Sequence, residues 1–376
     1  MDTLLTLFHY LWSFALIISV IVFVHEYGHF WAARRCGVKV ETFSIGFGRE
    51  IIGRTDKHGT RWKIALFPLG GYVKMFGDAG AASTPDTSAL DAMSAAERKQ
   101  SLHHQPLLAK AFIVAAGPIA NFLLTIAVLT YFLYTVGIAS TEPVVGEIMK
   151  DTPAAAAGLK PGDRITAIDG KKMRSFNDIP EALVTNLYTP VTLEVERGDK
   201  KLTLSITPIA FEEKDITGNL SKRPLIGIRS QKMTRADVSF PHAVWLATEK
   251  TYEICATNLR ALGQIIAGTR SANNLTGTLG IAKLSGDITH QGESARETLL
   301  TILWFIAMIS AGIGLVNLFP LPMLDGGHLM FYAIEGIIRR PLPPRFMEYC
   351  YRVGFAIVML LMVFTLYNDA RKIFFS

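Results

Sequence analysis

The chain has 376 residues, a formal net charge of +6 and half of its residues hydrophobic, with a mean hydropathy of +0.30. That apolar weight is high for a soluble enzyme, and nucleic-acid binding is set aside because the positive residues crowd beside apolar runs, as in membrane proteins. The three cysteines, Cys36, Cys255 and Cys350, are scattered and odd in number, which fits neither a disulfide framework nor a zinc knuckle.

Four apolar stretches, 4–33, 111–138, 298–318 and 349–366, are long enough to cross a bilayer. The first lacks a basic start and exceeds a usual signal-peptide core, so it reads as a retained helix. Near its end stand His25, Glu26 and His29, a His-Glu-x-x-His pattern. Helical spacing puts the two imidazoles one turn apart on one face, able to hold one zinc ion, with Glu26 beside them to take a proton from water. Ionisable groups inside a span are costly, which favours a functional reading over a buried His pair with a stray carboxylate.

Orientation follows from Lys and Arg. The segment after the first span holds Arg34, Arg35, Lys39, Arg49, Arg54, Lys57, Arg61 and Lys63, and the link before the last holds Arg339, Arg340 and Arg345. Both are expected on the cytoplasmic side, which puts both termini and the long middle segment opposite. Arg371 and Lys372 run weakly against this. His25 precedes Arg34 by a stretch of helix roughly 14 Å long, so the site lies in the membrane near its cytoplasmic edge.

Segments 42–52 and 62–75 are strand-like and punctuated by Gly46, Gly48, Gly53, Gly70, Gly71 and Pro68. An edge strand beside a protease site can pair with extended substrate, although composition alone favours a plain cytoplasmic hairpin. Residues 78–105 read as a mobile loop, with His103 and His104 as solvated residues. In the second span, Gly117, Pro118 and Ala120 permit a kink and close packing. There Asn121 is expected to cap or bond across helices rather than act directly.

From Glu142 the composition becomes that of a soluble domain. Strands are predicted at 144–148, 164–168, 191–196 and 202–208, and a helix at 177–187. The run from Thr152 through Gly158, Pro161, Gly162 and Asp163 to Ile165, followed by Ile168-Asp169-Gly170, resembles bacterial PDZ domains over about 142–230. In such domains a groove takes peptide chain ends, and 224–228 would supply the closing strand beside it. Residues 239–267 read as an amphipathic helix on the outer membrane surface, and 273–286 as a loop.

Two imidazoles leave a catalytic zinc site one protein ligand short. The third span ends in Asn317, then Pro320, Pro322, Asp325, Gly326, Gly327 and His328. The prolines break the helix, and a metal would best compensate Asp325 in that apolar setting. His328 is the rival ligand, and its place nearer Arg339 favours Asp325.

The pairing of His25-Glu26-x-x-His29 with Asn317-x-x-Pro320-x-Pro322-x-x-Asp325-Gly326 resembles the site-2 protease family of intramembrane metalloproteases. Four spans with a PDZ insert are similar to its bacterial branch of regulator of sigma-E protease type, whose best-known members carry two PDZ domains where this chain has room for one. The resemblance implies a multi-pass α-helical membrane protein with a cytoplasmic-side β-hairpin or reentrant loop and an inserted α+β PDZ domain. Its parts would be 1–33, 34–109, 110–138, 142–230, 231–297, 298–338 and 349–368. It implies Zn2+ on His25, His29 and Asp325, Glu26 as general base, and substrate contacts by Asn317, Pro320, Pro322, Gly70, Gly71, Tyr72 and Val73. It casts 62–75 as a reentrant loop that clamps substrate as a strand, in place of the plain hairpin. The implied partners are the lipid bilayer of the bacterial inner membrane, peptide chain ends, and single-span proteins cut after an outer-side cleavage, such as anti-sigma factors or leftover signal peptides.

Two other classes of function fit the sequence less well. A PDZ scaffold without catalysis would need a substitution at Glu26 or a ligand. A zinc transporter would need a polar path, for which only His9, Asn121 and Asn317 stand outside the motifs.

Overall fold

The computed structural model describes residues 2–80, 87–140, 142–173, 175–183, 189–214, 220–230, 234–269, 271–290 and 294–374. It comprises two units, one of Met1–Phe132 with Ala243–Ser376 and one of Leu133–His242. Among the described residues, four helical stretches are long and apolar enough to cross a membrane: Phe8–Arg35, Leu107–Val136, Ala295–Asn317 and Arg345–Ile373.

Helix α1 (Asp2–Arg35) ends on Arg34 and Arg35, where cations suit the negative end of the helix dipole. Gly37, at φ 76°, closes it, and Val38 N–H returns to Ala33 O at 2.9 Å. Strands β1 (Val40–Thr55) and β2 (Arg61–Met75) follow and pair antiparallel. They make more than a plain hairpin. Residues 42–45 of β1 pair with 61–64 on one side and with 71–74 on the other, Val40 pairs with Met75, and 50–55 pair with 61–65. Each strand therefore bends back on itself, and 71–75 becomes an edge.

Of the stretch 78–105 expected to be a mobile loop, 81–86 lie outside the described residues, and the rest carries structure. It holds α2 (Thr87–Ala92), α3 (Ala95–Arg98), with a Ser94–Glu97 capping box, and a 3-10 turn at Leu102–His104. Leu102 is buried with Phe30, Val40 and Ile113. His103 is not a solvated loop residue, because its Nε2 lies 2.9 Å from Oδ1 of buried Asp78. Helix α4 (Leu107–Val136) then carries Pro118 in its interior.

The second unit begins with β3 (Ile138–Ser140), β4 (Val145–Ile148), α5 (Pro153–Ala156), β5 (Arg164–Ile168), β6 (Lys171–Lys172) and α6 (Asp178–Leu183). It continues through β7 (Val191–Arg197), β8 (Lys200–Ile206), β9 (Ile209–Lys214), β10 (Leu220–Leu225), β11 (Ile228–Ser230) and β12 (Thr234–Ala236). A sheet in the order β6-β5-β7-β8 and the α6 helix enclose a core of Val145, Ile165, Leu183, Val191 and Leu193, giving a β-rich, PDZ-like region. The expected closing strand at 224–228 is split. Leu225 ends the β9–β10 hairpin, Gly227 turns at φ 84°, and Ile228 opens β11, which pairs with β4. The expected helix at 177–187 is seen as α6, and 184–188 lie outside the described residues.

The chain returns through α7 (Phe240–Ile266), α8 (Thr278–His290), α9 (Ala295–Asn317), α10 (Asp325–Ile338) and α11 (Pro344–Phe374). Helix α7 has the expected amphipathic pattern, with Ala243, Ala247, Thr251 and Ile254 buried along one stripe. The expected loop at 273–286 is instead mostly α8. Its glycines serve close packing: a Cβ at Gly286 would overlap the Tyr10 ring of α1. Asp369 of α11, which is buried, accepts Gly277 N–H at 3.0 Å and Gly280 N–H at 2.8 Å, so the start of α8 is capped from another helix.

Candidate metal centre

His25 and His29 lie one turn apart on α1 and are 8% and 7% exposed. Asp325 opens α10, where the positive helix end suits a carboxylate. A tight turn delivers it there. Met323 adopts φ 88°, and a Cβ at Gly326 or Gly327 would overlap the carbonyls of Leu318, Phe319 or Leu321. Only glycine allows so close a crossing of the turn over the helix start.

Three ligand atoms converge. His25 Nε2 lies 3.2 Å from His29 Nε2 and 3.2 Å from Asp325 Oδ2, and His29 Nε2 lies 3.5 Å from Asp325 Oδ2. Bond lengths of about 2.0–2.1 Å in a tetrahedron give edges of about 3.3–3.4 Å. The triangle therefore has the size of one face of a tetrahedral zinc site. Among the described residues these three form the only such group of His, Cys, Asp or Glu.

The second span supplies the imidazoles' outer contacts. His29 Nδ1 lies 2.9 Å from Ile113 O. A carbonyl only accepts, so Nδ1 carries the proton and Nε2 keeps its lone pair for a cation. Asn121 Nδ2 lies 3.2 Å from His25 Nδ1. Gly117 sits directly against both rings: a Cβ there would overlap His29 Nε2 and stand 2.9 Å from His25 Nε2. A Cβ at Gly28 of α1 would likewise overlap Ala116 O, so the two helices meet at bare backbone.

A cleft of about 440 Å³ opens onto the triad and is lined by Glu26, Gly70, Gly71, Tyr72, Val73, Asn317 and His328 as well. The 71–75 edge presses on α1 here, since a Cβ at Gly71 would stand 2.8 Å from Val22 Cγ1 and 3.3 Å from Glu26 Cγ. The Glu26 carboxylate meets the backbone of Val73. His328 takes no part in the triad; its Nδ1 is 3.5 Å from Tyr351 Oη. Pro320 and Pro322 are not among the residues that line this cleft. They belong to the turn, and Pro322 packs against Gly354 of α11. The chain is rigid and donor-free at each proline, which suits a helix break.

Sequence reasoning allowed Asn121 a bond across helices and gave Gly117 a packing role. It did not connect either to the imidazoles. An uncharged amide four residues beyond a glycine in an apolar span was the available signal for Asn121; nothing in the sequence marks a carbonyl such as that of Ile113.

Two imidazoles on a membrane-length helix and a carboxylate at the start of α10, at zinc-site spacing, with a second carboxylate in the same cleft, define a metallohydrolase centre. The chain belongs to Peptidase family M50, whose pattern matches residues 13–361, and it is a membrane-associated zinc metalloprotease. It is 42% identical over 97% of its length, and 96% of the relative's, to the Agrobacterium fabrum protein Atu1380, whose name carries the words zinc metalloprotease. It is 38% identical to Metalloprotease MmpA of Caulobacter vibrioides over 96% of this chain and 95% of that one. The solved PDZ domain of the SdrC-like protein Lin2157 of Listeria innocua aligns with 25% of this chain and 99% of its own, at 26% identity and a TM-score of 0.20.

Proposed function

We propose that this protein cuts single-span membrane proteins within their membrane segment, with zinc held by His25, His29 and Asp325. The observation that carries this reading is the meeting of three zinc-spaced ligand atoms, Glu26 and an open strand edge in one cleft. Zinc, when bound, makes a water nucleophilic near neutral pH and polarises a carbonyl. Glu26 accepts the proton at its carboxylate. A substrate helix hides its carbonyls and must unwind, which strands polar backbone in an apolar setting. The 71–75 edge offers that backbone new partners as an added strand, with Gly70, Gly71, Tyr72 and Val73 alongside it. Asn317, at the end of α9 in the same cleft, is suited to hold the substrate backbone near the bond to be cut. We place the protein in the bacterial inner membrane with 62–75 as a reentrant loop on the cytoplasmic side and the termini and PDZ-like unit in the periplasm. Its substrates in this reading are anti-sigma-factor-like proteins or leftover signal peptides, first trimmed on the outer side, whose new chain ends the PDZ groove inspects.

The test is Glu26→Gln. The amide cannot take up the proton, and loss of a general base costs about 10²–10⁴-fold in rate. The variant is expected to keep its zinc and lose cleavage of a model membrane segment in detergent. Full activity with zinc bound would rule out Glu26 as the base.

A further inference from the structure

Asn121 lies in the middle of α4, fully buried. Its backbone is held from two directions: the carbonyl accepts Thr125 Oγ–H and Ser310 Oγ–H, each at 3.0 Å, and Thr125 also reaches Ala307 O of α9. This fixes where the side chain starts and aims it at His25. Its Nδ2 faces His25 Nδ1 at 3.2 Å, while Oδ1, also buried, has no hydrogen-bond partner among the described residues. A buried amide oxygen left so is unfavourable and calls for a role.

The two ends of a carboxamide exchange places by a half-turn about Cβ–Cγ. With Nδ2 toward the ring, the amide donates to Nδ1, and His25 carries its own proton on Nε2, where Asp325 Oδ2 is 3.2 Å away to accept it. With Oδ1 toward the ring, the amide accepts from Nδ1–H, and Nε2 is left with its lone pair. Ligation through Nε2 requires the second state. His29 is held in the equivalent state by Ile113 O, a fixed backbone acceptor. The two imidazoles therefore differ: one has a partner that can only accept, the other a partner that can do either.

Resting on the ligand set read above, we propose that Asn121 is the positioning residue for His25, its carboxamide turning Oδ1 toward Nδ1–H to fix the ring in the tautomer that binds metal. His25 is then the ligand whose readiness depends on a side chain, and the apolar second span serves the metal centre through one fixed carbonyl, Ile113 O, and one rotatable amide.

The experiment measures zinc affinity of the full chain in detergent by competition with a chelator, alongside the visible spectrum of the Co2+-substituted protein. Asn121→Leu keeps size and removes both polar ends; the Thr125 and Ser310 bonds survive because they end on the backbone. It should bind zinc about 10- to 100-fold more weakly, the usual loss when an outer contact of a ligating histidine is removed, and alter the Co2+ bands. Asn121→Asp can only accept from Nδ1–H and should restore affinity and spectrum. Should the Leu variant not fold, Asn121→Ala replaces it with the same expectation. Affinity within about threefold of the parent in the Leu or Ala variant, or an Asp variant as weak as they are, overturns the proposal. His25→Ala is the control for the ligand set: if it keeps full zinc affinity, that set is wrong, whereas loss there with a normal Leu variant refutes the role of Asn121 alone.

Discussion

Asp325 is the residue through which two distant parts of the chain become one site. It reaches the imidazoles from a helix start some 300 positions along the sequence, set by a turn whose close approach the glycines at 326 and 327 permit. Replacing it with Asn keeps the shape and removes the charge. Zinc affinity should fall by well over about tenfold, since loss of an outer contact alone reaches that size. His328→Ala should leave zinc per chain unchanged, because His328 is turned toward Tyr351. The measurement is bound zinc after dialysis against a weak chelator; the opposite pattern would make His328 the third ligand. At this scale the His pair was legible from its spacing of four and Asp325 from the proline break before it. The outer contacts were not, because Ile113 acts through its carbonyl and Gly117 through the absence of a side chain, and neither feature is encoded in a residue pattern.

At the scale of elements, the strands of 40–75 were legible from their composition but their folding back was not. The alternation of residues specifies a strand, whereas the bend that frees 71–75 depends on register shifts along β1. Proline at Val73 removes an N–H from that edge, the same backbone group that meets the Glu26 carboxylate. Cleavage should drop by at least about tenfold while bound zinc stays at one per chain, because His25, His29 and Asp325 lie on other elements; the tenfold follows from losing one well-placed positioning contact. Normal cleavage by Val73→Pro would return the segment to a merely structural role. Helix α8 was misread as a loop for a related reason. Glycine lowers helix propensity, but here Gly280 and Gly286 admit Asp369 and Tyr10, so tertiary contact outweighs local preference. In the PDZ-like unit, buried Asp163 takes two hydrogen bonds from Arg197, at 2.7 and 2.8 Å, and one from Lys160 N–H. Burial alone would raise its pKa, yet the guanidinium and the N–H hold the carboxyl below the ordinary range. A lowered folded-state pKa gives stability that is present above the unfolded value and is lost as pH falls through the folded one. Unfolding of this unit should therefore become easier only below about pH 4. Asp163→Asn, which removes the carboxylate charge from the pair with Arg197, should destabilise the unit at neutral pH and flatten that acid limb. Denaturant unfolding followed at several pH values checks both.

At the scale of the whole molecule, the cleft and the PDZ-like core are built from separate stretches of chain. Every residue of the cleft belongs to the unit of Met1–Phe132 and Ala243–Ser376, and every residue of the PDZ-like core to Leu133–His242. The insert also leaves and returns through a paired stem, with Ser140 opposite Thr234, Ala139 opposite Arg235 and Ile138 opposite Ala236. Its ends are thus neighbours, and residues 142–230 can be replaced by a short Gly/Ser linker that closes the stem without pulling on α4 or α7. Such a deletion removes no metal ligand, no outer contact of a ligand and no part of the strand edge. Zinc content should be unchanged, and a bare membrane segment should still be cut. What should change is the choice between substrates that retain an outer domain and substrates already trimmed. If the unit excludes bulky outer domains, the deletion speeds cleavage of untrimmed substrate. If it binds fresh chain ends, the deletion slows cleavage of trimmed substrate, by a factor that shrinks as substrate concentration rises, because tethering acts through effective concentration. Rates for both substrates, measured with intact and deleted enzyme over a range of concentrations, separate the two. Equal rates throughout would make the unit a spacer and end the idea that it selects.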